Sequence, residues 1–274
     1  MKLSVVIVNY NLCYMLRQTL NSLVDAVKHI DYEIFIVDNA STDKSAEMVI
    51  SEFPQCHIIA NTKYDSYSKL CNEAISLSTG AYVLLVNPDI ISCKKTLERA
   101  IEFMDMHTDT GALGVRMITP QGRFLPESNR GLTPQWITFF KLTGLAKYFA
   151  KSRLYDRNRK DWVEEFQTSE VDVVNGAYML LRKSVLNETG LFDERFFMFG
   201  HDIDLSYRIR LAGYKNYYFP KTYVINFNLS RIPKFNWDYV KHFYGAMFIF
   251  AAKYLFKMPD VKVIEAMPQV SSVA

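Results

Sequence analysis

Two textures of apolar residue alternate through the first hundred positions. Short continuous apolar runs, "SVVIV" (4–8), "EIFIVD" (33–38), "HIIA" (57–60) and "AYVLLVNPD" (81–89), read as strands, the first of them buried. Between them the apolar positions fall at helical spacing. Leu12, Leu16, Leu20, Leu23 and Val27 form one stripe, and Leu97, Ile101 and Met104 another within "KKTLERAIEFM". "DKSAEMVISEF" (43–53) predicts a further helix, with Ser41 or Thr42 as its cap. The alternation predicts βαβ units and a largely parallel sheet covered by helices.

The texture then changes. Pro120, Pro126 and Pro134 punctuate "TPQGRFLPESNRGLTP", and "KSRLYDRNRKDWVEE" (151–165) is densely charged, which predicts loops over or beside the sheet. Strand pattern resumes in "VDVVNGAYMLLRK" (171–183) and "YYFPKTYVINF" (217–227). The expected organisation is a first half over 1–115, a second half of the same domain over 116–235, and a helical tail over 236–274. That tail holds "FYGAMFIFAAKYLF" (243–256), too short and too interrupted by Lys253 for a membrane span. It reads as a buried or interface helix, as a helix resting on a membrane surface beside Lys241, Lys253 and Lys257, or as a homodimer contact.

Composition narrows the classes. The 274 residues, 49% hydrophobic and 22% charged, suffice for an ample core. A net charge of +3 suits an anionic substrate or membrane surface and is too small to argue for nucleic acid. Cys13, Cys56, Cys71 and Cys93 are scattered without a C-x-x-C pair, and no signal-peptide pattern opens the chain, so a cytoplasmic setting is expected. A dinucleotide glycine fingerprint, a Walker loop and a G-x-S-x-G elbow are all missing.

What remains is a set of carboxylates at strand ends and in "FFMFGHDIDLSYR" (196–208): Asp38, Asp89, Asp202 and Asp204. Ligands of open α/β sheets sit beyond the carboxyl ends of the strands. Hard carboxylate oxygens suit Mg²⁺ or Mn²⁺, which bridge protein to substrate phosphates, so a nucleotide-diphosphate substrate fits. Asp204 and Arg208 stand i, i+4 and can pair on one helix face as support.

The ordered series "VVIVNYN", "VDNASTD", "LLVNPD", "PQGRFLPESNRGLTP", "VNGAYMLLRK" and "GLFDERFFMFGHDIDLSYRIRLAGY" resembles the family 2 inverting glycosyltransferases of the GT-A fold. It is most similar to their rhamnosyltransferase-like branch, which acts in bacterial surface polysaccharide assembly. The resemblance implies a Rossmann-like mixed, mostly parallel sheet, a nucleotide-diphosphate sugar as donor and a glycan or lipid-linked acceptor. It places Asn9, Asp38, Asn72 and Asn87 at the nucleotide and Asp89 on a Mg²⁺ or Mn²⁺ ion. Asp202 becomes the general base, with Gly176 and His201 at the donor or acceptor pocket.

Three positions depart from the family pattern. His201 stands where a glutamate is usual, Asn226 where many relatives carry a histidine, and Ser66 to Leu70 fill a stretch that is usually glycine-rich. These departures support an alternative expectation, a silent relative that binds glycan or nucleotide or scaffolds assembly enzymes.

Overall fold

The computed structural model describes residues 1–130, 132–149, 165–229 and 237–255. Most of the charged 151–165 stretch and the residues after 255 lie outside the described residues. Strands β1 (Leu3–Asn9), β2 (Tyr32–Asp38), β3 (His57–Ala60) and β4 (Tyr82–Val86) alternate with helices α1 (Cys13–Ala26), α2 (Ser45–Glu52) and α3 (Tyr67–Leu77). After β5 (Ile90–Ser92) come α4 (Thr96–Met106) and β6 (Thr110–Ile118), then the short α5 (Glu127–Arg130) and α6 (Pro134–Leu142). The chain continues through β7 (Ser169–Val171), β8 (Tyr178–Arg182), α7 (Lys183–Thr189), α8 (His201–Leu211), β9 (Lys215–Asn226) and α9 (Trp237–Tyr254).

One sheet runs in the order β3-β2-β1-β4-β8-β6-β9-β5, with β7 on β9. Strands β1 to β4, β6 and β9 share one direction; β5, β7 and β8 oppose it. The expected mixed, mostly parallel α/β sheet is therefore the observed one. Alternation along β1 sends Leu3, Val5 and Ile7 to the core under α1 and α4, and Val6 to the core under α3, α7 and α8. A third cluster joins α6, α8 and α9 through Trp136, Phe140, Phe196, Tyr207, Phe243 and Phe250.

Pro220 lies inside β9, which a central strand would not tolerate. The register of β9 on β6 slips between Phe219 and Tyr223, so the proline occupies an irregularity where no ladder bond is lost. At α2 the expected cap is corrected: the helix starts at Ser45 after Lys44, whose φ is 63°, and no side chain caps it. Asp43 takes over locally, its carboxylate accepting the Ser45 N–H at 3.2 Å and the Cys13 N–H at 2.8 Å.

Candidate active site

The chain leaves β1 for β2 on one side and later returns as β4 on the other, which opens a crevice at the carboxyl ends of these strands. Asn9 and Asp38 end adjacent strands in register, and the Asn9 amide donates to Asp38 Oδ1 at 3.0 Å. Asp38 Oδ2 accepts the Ser41 N–H at 2.9 Å, while the buried Asn9 Oδ1 has no hydrogen-bond partner. The loops at this edge are conformationally demanding. Asn11, Ala40, Lys44 and Asn228 all have φ between 50° and 63°. At Ala40 the left-handed conformation costs about 1 kcal/mol, a strain that the surrounding contacts must hold.

Asn87 follows β4, its N–H bonded to Ala177 O at 2.9 Å, and Asp89 is fully buried two residues on. Asp89 Oδ2 accepts the Leu229 N–H at 2.6 Å, so the end of β9 folds against it. Asn226 is beside them, but its amide oxygen already accepts the Asn228 N–H at 2.8 Å. Among the described residues no three His, Cys, Asp or Glu side chains gather to hold a metal. A single buried carboxylate fits the mode in which Mg²⁺ takes one or two carboxylates and completes its shell with substrate phosphates and water.

Asp202 sits in the first turn of α8. Gly200, at φ 81°, lets the chain reverse into that helix, a conformation only glycine adopts cheaply. The half-buried Asp202 accepts the Gly176 N–H on Oδ2 at 3.2 Å and the Ile203 N–H on Oδ1 at 2.9 Å. A Cβ on Gly176 would come within 3.2 Å of both Asp202 Cβ and His201 Nε2, so this glycine is a close-approach position against the pair. His201 is nine-tenths buried, with no partner for Nδ1. Burial lowers its pKa below the ordinary histidine value, against the opposite pull of Asp202 and Asp204.

The filled stretch 66–70 meets this histidine. Ser66 caps α3, Ser68 Oγ donates to Phe196 O at 2.6 Å, and the Tyr67 N–H donates to Phe197 O at 2.9 Å. The Tyr67 ring packs against the His201 imidazole at 4.7 Å between centroids. Two of the three departures from the family pattern are thus one contact. Asn72 is placed differently from Asn9 and Asp38: its amide exchanges two 2.9 Å bonds with the Phe192 backbone, which ties α3 to the loop before α8. A hollow of about 500 Å³ lined by Asn61, Lys69, Asn72 and Glu194 lies alongside and includes none of the strand-end aspartates.

Asp204 and Arg208 pair at 2.8 Å as expected, and Arg208 also donates to the carbonyls of Thr189, Gly190 and Leu191. Sequence reasoning missed the other half of this network. Lys253 Nζ and Tyr254 OH, both from α9, donate to Asp204 Oδ1 at 2.7 Å, and Lys253 also reaches Asp193 at 2.9 Å. Lys253, set beside lipid in one of the three readings of the tail, turns inward, as the buried-helix reading has it.

A crevice at the carboxyl ends of an open, mostly parallel α/β sheet defines a ligand-binding α/β fold, and comparison with known proteins gives its family. The sequence profile of Glycosyl transferase family 2 matches residues 4–189, and the chain belongs to that family. It is 24% identical over 235 residues to an N-acetylglucosaminyl-diphospho-decaprenol L-rhamnosyltransferase of Mycobacterium tuberculosis, covering 82% of this chain and 75% of that protein. The crystal structure of Staphylococcus aureus TarS matches at a TM-score of 0.64 with 19% identity, over 95% of this chain and 41% of TarS. This chain therefore spans less than half the length of TarS. A mannosyltransferase of Pyrobaculum calidifontis, PcManGT, solved with GDP-Man and Mn²⁺, matches at 0.58 with 17% identity, over 84% of this chain and 58% of that one. The GT-A expectation is met.

Proposed function

We propose that this glycosyltransferase moves a sugar from a nucleotide-diphosphate donor, with inversion, to a hydroxyl of a glycan or lipid-linked acceptor in cell-surface polysaccharide synthesis. The rhamnosyltransferase relative, aligned over most of both chains, supports the acceptor class and a hexosyl or deoxyhexosyl donor. The observation that carries the mechanism is the placement of Asp202, half-buried at a helix start in the strand-end crevice and anchored by the Gly176 N–H.

Asn9 and Asp38 bind the base or ribose of the donor, and Asn87 lies under its diphosphate. Asp202 takes the proton from the acceptor hydroxyl as that oxygen attacks the anomeric carbon. The nucleoside diphosphate leaves from the opposite face. Asp89 would hold a Mg²⁺ or Mn²⁺ ion, which when bound neutralises charge on the leaving phosphates. Gly176 and His201 border the reacting sugar. Residues 1–115 act as the donor half and 116–235 as the acceptor half, and the enzyme works in the cytoplasm at the inner face of the membrane.

Asp202→Asn tests this reading. Transfer should fall by about 10³-fold or more, as loss of a general base does at its upper range, while donor affinity stays within a few-fold. Full activity would remove Asp202 from the chemistry. The Tyr67–His201 contact supports a second reading, a silent nucleotide- or glycan-binding relative, because the Tyr67 ring fills a stretch that is usually glycine-rich and packs on a histidine that stands where a glutamate is usual. Nucleotide binding without transfer or hydrolysis, across a panel of donors with Mg²⁺ and Mn²⁺, would select it.

A further inference from the structure

The outward face of α9 is apolar where a surface helix is ordinarily polar. Trp237, Lys241, Tyr244 and Phe248 follow at i, i+4, i+7 and i+11, one narrow stripe along the helix. Trp237 is 77% exposed, Tyr244 57% and Phe248 75%, and Lys241 is exposed among them. The opposite face, with Phe243, Ala246, Met247 and Phe250, is buried in the third core cluster, and the stripe faces away from it.

Its chemistry and its size together choose an occupant. Trp and Tyr carry an apolar ring and a polar tip, and lysine buries its stem while its charge stays in water, the residue types that populate a membrane–water interface. A second copy of the chain is disfavoured by area. Three rings of ~150–250 Å² each, a half to three-quarters exposed, offer about 400 Å², half of the ~800 Å² per partner that a stable interface needs. No helix among the described residues is long and apolar enough to cross a membrane, so contact is along the surface.

We propose that this stripe seats the protein on an anionic lipid surface, with the three rings in the headgroup region and Lys241 against lipid phosphates. The inner face of the same helix holds the approach to the catalytic aspartate. His242 stacks on Phe197 at 4.5 Å, Tyr239 meets Phe199 at 5.2 Å, and Lys253 and Tyr254 hold Asp204. Seating therefore turns toward the lipid the helix that packs on the loop before Asp202, where a lipid-borne acceptor would approach. Only that last consequence rests on the transfer reaction; the lipid contact itself does not.

Flotation of the full chain with phosphatidylcholine vesicles, with and without phosphatidylglycerol, tests the contact without donor or acceptor. The chain should float with the anionic vesicles, and Trp237→Glu with Phe248→Glu should lower its partition at least about tenfold. Both side chains are exposed, so the melting temperature and nucleotide binding should not change. Lys241→Glu should selectively weaken binding to the anionic vesicles. Failure of the native chain to float, or unchanged flotation of the double variant, would overturn the proposal. A dimer that the double variant dissociates, with no vesicle binding, would assign the stripe to a second copy instead.

Discussion

At the scale of single residues, Gly176 is a position where an added side chain would press on the proposed base itself. A methyl group there would press on Asp202 Cβ and His201 Nε2 at 3.2 Å each, and Asp202 Cβ cannot yield without moving its carboxylate. Misplacement of a reacting group by 1 Å costs about 10²-fold, so a shift of a few tenths of an ångström in Gly176→Ala should lower the transfer rate about tenfold. Unchanged kcat in a folded Gly176→Ala protein would show that Asp202 does not need this contact. His201 gives a second expectation. Its imidazole is held neutral by burial, so the unfolded chain binds a proton more readily near the ordinary histidine pKa than the folded chain does. Stability should therefore fall as pH drops below about 6.5, and His201→Phe should flatten that slope in denaturant midpoints measured between pH 7 and pH 5. The acid-side slope of the native chain, if unaltered by the substitution, would place the responsible proton elsewhere.

At the scale of elements, α8 is gripped from three directions. Arg208 ties it to the end of α7, Ser206 Oγ accepts the Val174 N–H at 3.2 Å, and Lys253 and Tyr254 bring α9 onto Asp204. Its acidic first turn and basic last turn also oppose the helix dipole favourably. Asp204 is fully buried, so removing one cationic partner leaves its charge partly uncompensated. Lys253→Met should cost on the order of 2 kcal/mol, below the full price of an orphaned buried ion because Arg208 and Tyr254 remain. Denaturant midpoints measure it, and a loss under about 0.5 kcal/mol would make the network incidental. The pattern of the chain made α8 itself legible, through Asp202, Asp204 and Arg208 in one short stretch. It could not show Lys253 or Tyr254, which lie 49 and 50 residues further on, because periodicity reports neighbours along a helix and carries no information about which helices meet. The bonds between Asn72 and Phe192, and the packing of Tyr67 on His201, were hidden for the same reason.

At the scale of the whole molecule, the legible part was the parallel half of the sheet, whose strands β1, β2 and β4 are buried apolar runs that lead into Asn9, Asp38 and Asp89. The second half was harder to read because its strands are short or irregular: β7 and β8 divide one apparent run, and β9 crosses a proline. What this architecture predicts about ligands follows from its donor set. With no group of three ligating side chains among the described residues, a divalent cation alone has little to bind. In the proposed reaction a nucleoside diphosphate would supply the missing oxygens, so cation and nucleotide should stabilise the fold together more than the sum of their separate effects. At a nucleotide concentration about 100 times Kd the gain is about 2.7 kcal/mol, which for a chain of this size raises Tm by roughly 5–10 °C. Thermal melts with Mn²⁺ alone, a nucleoside diphosphate in EDTA, and both together measure the coupling. Asp89→Ala should abolish the extra shift that Mn²⁺ adds while leaving the nucleotide's own shift through Asn9 and Asp38. A full shift in EDTA, or one that survives intact in Asp89→Ala, would take the cation off Asp89 and leave the diphosphate to be held by neutral donors at the same crevice.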